Sequence, residues 1–238
     1  MQTIKTTESD VLDALAGVRD PELDEPVTTL GFVSSVTVDG PEVSVTLRLP
    51  TFFCSPNFAY IMAEDSKRLV ADLPGVETVK VRFENFHVGR EIESGLDSDA
   101  GFDAAFSSFS ETSGEDLTEL RETFKRKAFI RRQEMLCRKL LRSGATPRDL
   151  ARMTLGEVSP SEELSVYLDR RAELGFSAAD DAPLLLSAHG APVPEDAVVA
   201  HLKNAKLTRI SVEGNGMFCQ ELLKVRYAKE KSRLGAQV

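Results

Sequence analysis

Valine and leucine take alternate places on both sides of Asp39-Gly40-Pro41, in "GFVSSVTVDG" (31–40) and "EVSVTLRL" (42–49). A period of two puts one apolar face on each strand, and the short "DGP" connection predicts an antiparallel hairpin. The pattern changes to a helical period on either side. In "ESDVLDALAGV" (8–18), Val11, Leu12, Leu15 and Val18 share a face, and acidic residues sit in the first turn. In "PNFAYIMAEDSKRLVADL" (56–73), Ile61, Met62, Leu69 and Leu73 do the same, and Pro56 suits a first helical position. "PG" at 74–75 ends that helix, and "VETVKVRF" (76–83) reads as a third strand. The predicted order is helix, strand, strand, helix, strand. Residues 1–90 are therefore expected to form a small α+β domain of αββαβ order, its helices packed on a three-stranded sheet.

Residues 91–114 lose this periodicity. Their Ser, Asp, Gly and Ala content predicts an acidic flexible linker. Phe102, Phe106 and Phe109 are too many for an inert spacer; they suit docking on a partner or a short helix laid over the core.

Residues 115–238 are expected to form a mainly helical module. "EDLTELRETFKRKAFIRRQEMLCRKLLRS" (115–143) is the strongest helix signal, opened by acids, closed by bases and followed by Gly144. "TPRDLARMTLGEV" begins another helix with Thr146 as cap and Pro147 at its first position. "SPSEELSVYLDRRAELG" is a third, capped by Ser159 or Ser161. A short helix is predicted over 194–205, a strand over 207–214, a turn at "EGNGMF" (213–218) and a terminal helix over 217–232.

Charge supports a division into two modules. The net charge of −9 is uneven: residues 1–112 carry 8 Lys/Arg against 20 Asp/Glu, and residues 113–238 carry 21 against 18. An acidic first module is a poor nucleic-acid binder, and the basic face of residues 125–142 suits solvent or an acidic partner better than DNA. No stretch approaches 18 uninterrupted apolar residues, so no membrane span is expected, and the first residues lack a signal-peptide pattern. Three cysteines at 54, 137 and 219 make neither a disulfide framework nor a CxxC zinc pair, which points to a reducing cytoplasm.

Enzyme signatures are missing: there is no GxSxG, Walker A loop, HExxH or GxGxxG. The segment that invites chemistry is "LRLPTFFCSPNFAY" (47–60), where Pro50 ends sheet pairing and Cys54 falls between a strand and a helix that starts with proline. Such a thiol suits metal binding or reactivity, and it equally suits packing among aromatics. "RDPELDEP" clusters Asp20, Glu22, Asp24 and Glu25 in a turn. His87 falls just past the third strand, where it could approach Cys54 as a base. Cys137 and Cys219 lie on amphipathic helices and are second-rank ligands, better suited to core positions.

"DPEL", then "LGFVSSVTV", "EVSVTLRL", a cysteine turn and "LPGVETVKVRF" together resemble the metal–sulfur (iron–sulfur) cluster assembly factor family. That family includes PaaD-like and SufT-like bacterial proteins, and the likeness spans about residues 8–85. It implies a small α+β domain without an enzymatic reaction of its own, whose members help deliver iron or iron–sulfur clusters. The family's DPE turn falls on Asp20, Pro21 and Glu22, and its reactive cysteine on Cys54. Where the family's turn carries a glycine before Cys-Pro, this chain has Phe53 before Cys54, with Ser55 before Pro56. Two phenylalanines are expected to make the thiol's surroundings drier. "DPELDEPVT" and "FFCSPNFAY" with a long C-terminal extension look like an actinobacterial subgroup that accompanies soluble di-iron monooxygenases.

The resemblance implies a non-catalytic accessory factor in metallocofactor assembly and metalloenzyme maturation. Cys54 would be a transient thiolate ligand for iron or a cluster, with Asp20 and Glu22 as carboxylate neighbours and His87, Cys137 and Cys219 as further candidates. One cysteine per motif cannot complete a cluster site, so completion is expected at a homodimer, at a cluster-assembly protein or at the client. A chaperone-like adaptor that holds a client subunit and never touches metal is the rival reading.

Overall fold

The computed structural model describes residues 5–98, 102, 106 and 117–234. They form two compact units: residues up to Leu117 together with the chain from Gly216 onward, and Thr118–Asn215. The expected C-terminal module therefore does not keep its last helix to itself.

In the first unit the expected order holds. Helix α1 (Glu8–Leu15) is followed by β1 (Val33–Asp39), β2 (Glu42–Arg48), α2 (Pro56–Ala71) and β3 (Thr78–Glu84). A capping box opens α1, in which the Thr7 N–H donates to Asp10 Oδ2 at 2.8 Å and Asp10 N–H donates back to Thr7 Oγ1. Strands β1 and β2 pair antiparallel with Val36 opposite Val45 and Val38 opposite Val43. Gly40, at φ 59°, takes the left-handed turn between them, which a side chain would resist. Strand β3 lies parallel to β2, with Val43 beside Val79 and Val45 beside Val81, so α2 is the crossover that parallel pairing requires. The valines of β2 and β3 are buried, and between them stand Ser44, Thr46, Lys80 and Arg82 on the wetter face. Helices α1 and α2 supply Val11, Leu15, Ala59, Met62 and Val70 to this single core.

The expected linker is partly structured. Helix α3 (Gly89–Asp97) occupies its first residues, with Ile92 and Leu96 buried in the same core. Phe102 and Phe106 are buried too, with ring centroids 5.2 Å between Tyr60 and Phe102 and 4.7 Å between Phe102 and Phe106. These two aromatics therefore complete the protein's own core rather than wait for a partner. Phe109 lies outside the described residues.

In the second unit, α4 (Leu117–Arg142) is followed by α5 (Pro147–Arg152) and α6 (Glu162–Glu173). Gly144 leaves α4 at φ 104°. Thr146 and Asp149 form the cap of α5, and Ser161 is the cap of α6, where it accepts from Leu164 N–H. Phe129, Leu136, Cys137, Leu150, Tyr167 and Leu184 build this unit's core. Gln133, fully buried, organises the polar groups within it. Its Oε1 accepts from Tyr167 Oη–H at 3.0 Å and from Leu186 N–H at 2.8 Å, and its Nε2 donates to the Leu186 carbonyl.

Helix α7 (Val198–Leu234) runs through four expected pieces, the helices over 194–205 and 217–232 and the strand and turn between them. The strand over 207–214 and the turn at 213–218 are both helical. Gly214 and Gly216 each weaken a helix by about 1 kcal/mol relative to alanine, and the β-branched residues nearby favour a strand. Burial of Leu223 and Tyr227 in the first unit's core rewards continuing the helix through them.

Candidate functional site

The cysteine turn is built by two prolines. Strand β2 stops at Arg48, and Pro50 follows where a further ladder bond would need an N–H. Helix α2 starts at Pro56, whose missing N–H costs nothing there. Cys54 lies between them, half-buried against the edge of the core. Thr51 holds the sulfur twice: its N–H donates to Sγ at 3.4 Å, and its Oγ1 lies 3.3 Å from Sγ.

The two phenylalanines do not enclose that thiol. Phe53 is 78% exposed and Phe52 45%, so both rings stand out into solvent, and the drier pocket expected from sequence is absent. They pack instead on each other and on His87, with centroids 5.0 Å, 5.6 Å and 5.3 Å apart. The Phe52 carbonyl lies 2.7 Å from His87 Nδ1, and because a carbonyl only accepts, Nδ1 carries the proton. His87 thus braces the turn's backbone, and the sulfur's hydrogen-bond partners come from Thr51 rather than from this ring.

The acidic turn is equally organised. Asp20, 8% exposed, accepts from Leu23 N–H at 2.8 Å, and its own N–H donates to the Glu25 carbonyl. Asp24 takes a left-handed φ of 50° and is buried, with Arg19 donating to its carbonyl and lying 3.6 Å from its carboxylate. Burial raises the Asp20 pKa to about 6, the Leu23 N–H opposes the rise, and the neighbouring Glu22 charge adds to it. A carboxyl so placed changes charge near neutrality.

The third component comes from α7. Gly216, Cys219, Leu223 and Tyr227 follow one another by three or four residues and so share a face. That face meets the first unit: a Cβ on Gly216 would lie 3.9 Å from Leu23, and one on Gly31 would lie 3.4 Å from Leu223. Further along, Arg226 donates to the carbonyls of Leu49 and Asn85, and Tyr227 Oη donates to the Glu84 carbonyl. Cys219 is half-buried on this face, against the core edge that also holds Cys54. Burial pushes its thiol up to about 11, and the negative charges of Asp20, Cys54 and Glu22 push in the same direction. The two sulfurs and two carboxylates thus belong to one electrostatic neighbourhood.

Cys137 has no part in it. It is fully buried in the second unit's core, where burial, helped by Glu134, pushes its thiol to about 12. Among the described residues, no three His, Cys, Asp or Glu side chains converge closely enough to hold a metal ion. Any ion bound at Cys54 would therefore take some of its ligands from outside the described residues. In the sequence Cys219 and Cys137 look alike and Arg226 carries no signal; the spacing of 216, 219, 223 and 227 marks a shared face but not what that face covers.

Among the described residues no helix is long and apolar enough to cross a membrane. Residues 8–81 match the model of a family described as iron-sulfur cluster assembly protein. No curated protein matches the chain.

Proposed function

We propose, from the match of residues 8–81 to the iron-sulfur cluster assembly protein family, a non-catalytic accessory factor that hands iron or a cluster to a client metalloenzyme. A soluble di-iron monooxygenase is the client class implied by the resemblance of the cysteine and DPE turns. The observation that carries the reading is Cys54, reachable at the mouth of its turn, with Cys219, Asp20 and Glu22 around it.

In this reading Cys54 loses its proton on taking the metal, and the released proton goes to solvent. Soft thiolates suit iron and cluster sulfur chemistry, and the carboxylates add oxygen ligands and a negative field that draws cations. Cys219 is the second thiol. A set of ligands that one chain leaves incomplete favours passage, because the acceptor's ligands can replace the donor's one at a time. A second copy of the chain or a cluster-assembly protein can supply the missing ligands before the client does.

Exposed Phe52 and Phe53 favour a second reading, an adaptor that grips a client subunit through these rings and leaves metal alone. Cys54→Ser separates the two. Co-produced with the client, the variant should yield iron-poor client that still binds the factor, as read by metal analysis and co-purification. Fully iron-loaded client with Cys54→Ser would falsify delivery and leave the adaptor.

A further inference from the structure

In the second unit, a groove of about 440 Å³ runs between α4 and the first turns of α7. Arg138 and Arg142 line one wall, Lys203 and Lys206 the other. Leu141, Val199 and Leu202 give it apolar lining, and Val199 is 52% exposed.

The other bases of this unit are occupied. Lys139 pairs with Glu163, Arg148 and Arg152 with Glu195, and Arg209 with Glu134 and Glu213. Arg170 pairs with Glu173, Lys125 and Arg126 with Glu122, and Lys127 sits over the Phe124 ring. Among the described residues, Arg138, Arg142, Lys203 and Lys206 have no such partner, and all four face this groove. Arg138 and Arg142 are four apart on one helix, and Lys203 and Lys206 three apart on another, spacings at which like charges destabilise a helix. Four mutually repelling cations around apolar side chains have a physical purpose if a ligand supplies the counter-charge.

We propose that this groove binds an acidic, amphipathic peptide segment of a partner protein, with apolar side chains on Leu141, Val199 and Leu202 and carboxylates on the four bases. The cations of the groove sit on long flexible side chains spread over two helices, which suits carboxylates spaced along a peptide beside its apolar side chains. The proposal extends the maturation reading by giving the partner's contact chemistry, and it needs no metal.

The test uses the full chain without metal and a labelled peptide of Glu, Ala and Leu patterned as an amphipathic helix. The acidic peptide should bind, its Gln-for-Glu counterpart should bind at least about tenfold more weakly, and affinity should fall as salt rises. Arg138→Gln with Lys203→Gln should weaken binding about tenfold while leaving the melting temperature unchanged or raised, since repulsion is relieved. Equal binding of the Glu and Gln peptides, or unchanged binding by the double variant, overturns the proposal. So does a marked fall in melting temperature, which would give the cations a folding role, or a duplex DNA that binds more tightly than the peptide. Because no arm reads iron, failure here leaves the delivery reading standing, and failure of delivery leaves this result standing.

Discussion

Arg226 Nη1 donates to the Leu49 carbonyl at 2.9 Å, across 177 positions of sequence. The same guanidinium reaches the Asn85 carbonyl, so one side chain ties the start of the cysteine turn to the loop that carries His87. Arg226→Ala should cost about 1–3 kcal/mol, because two carbonyls lose a charged donor. Urea unfolding reads the loss, and Cys54 alkylation should quicken in the variant as its turn loosens. Unchanged stability and alkylation would mean that the turn stands without the last helix.

Thiol chemistry should rank the three cysteines. At neutral pH iodoacetamide should label Cys54 first, because it is the partly exposed thiol of the turn. Cys219 should follow slowly, its thiol held up at about 11, and Cys137, at about 12 and fully buried, should react only on unfolding. Peptide mass spectrometry with time reads the order. Early labelling of Cys137 would contradict its place in the core.

Asp20 should leave a mark on stability against pH. Its folded pKa of about 6 lies above its ordinary 3.8, so between these values the folded chain holds a proton that the unfolded chain has released. The contribution is fully present below about pH 4 and is lost as pH rises through 6, about 3 kcal/mol in all. Asp20→Asn should flatten that stretch of the curve. In the delivery reading, iron uptake should also fall below about pH 6, since a protonated Asp20 offers no anionic oxygen.

Gln133 should be costly to replace. Gln133→Leu strands the Leu186 N–H and carbonyl and His201 in one stroke and leaves Tyr167 Oη–H only the Leu184 carbonyl, and a loss of at least about 3 kcal/mol is expected. Burial lowers the His201 pKa, and Gln133 Nε2 donates to its Nε2, so this ring is held neutral. Its contribution is present above the ordinary histidine range and is lost as pH falls through the lowered folded pKa. Thermal melts of the variant and of the parent chain between pH 5 and 8 read both effects.

The alternation around Asp39-Gly40, the helical spacing of 56–71 and the caps at Thr146 and Ser161 all appear in the structure as the sequence predicts. The signals are local, and the backbone satisfies them within a few residues. The turns at Asp20–Leu23 and around Cys54 are local in the same way, because proline and aspartate have strong local conformational preferences.

Tertiary structure decided the rest. Residues 207–218 carry β-branched side chains and two glycines, and local preference alone makes them a strand and a turn. They are helical because Leu223 and Tyr227 gain burial on the first unit when the helix runs on. That same packing puts Cys219 beside the acidic turn and leaves Cys137, on a similarly amphipathic helix, sealed in the other core. A sequence displays the period of a helix and hence which residues share a face. What that face meets depends on the whole chain's competition for apolar burial, and that contact separates a half-buried thiol beside carboxylates from a core thiol.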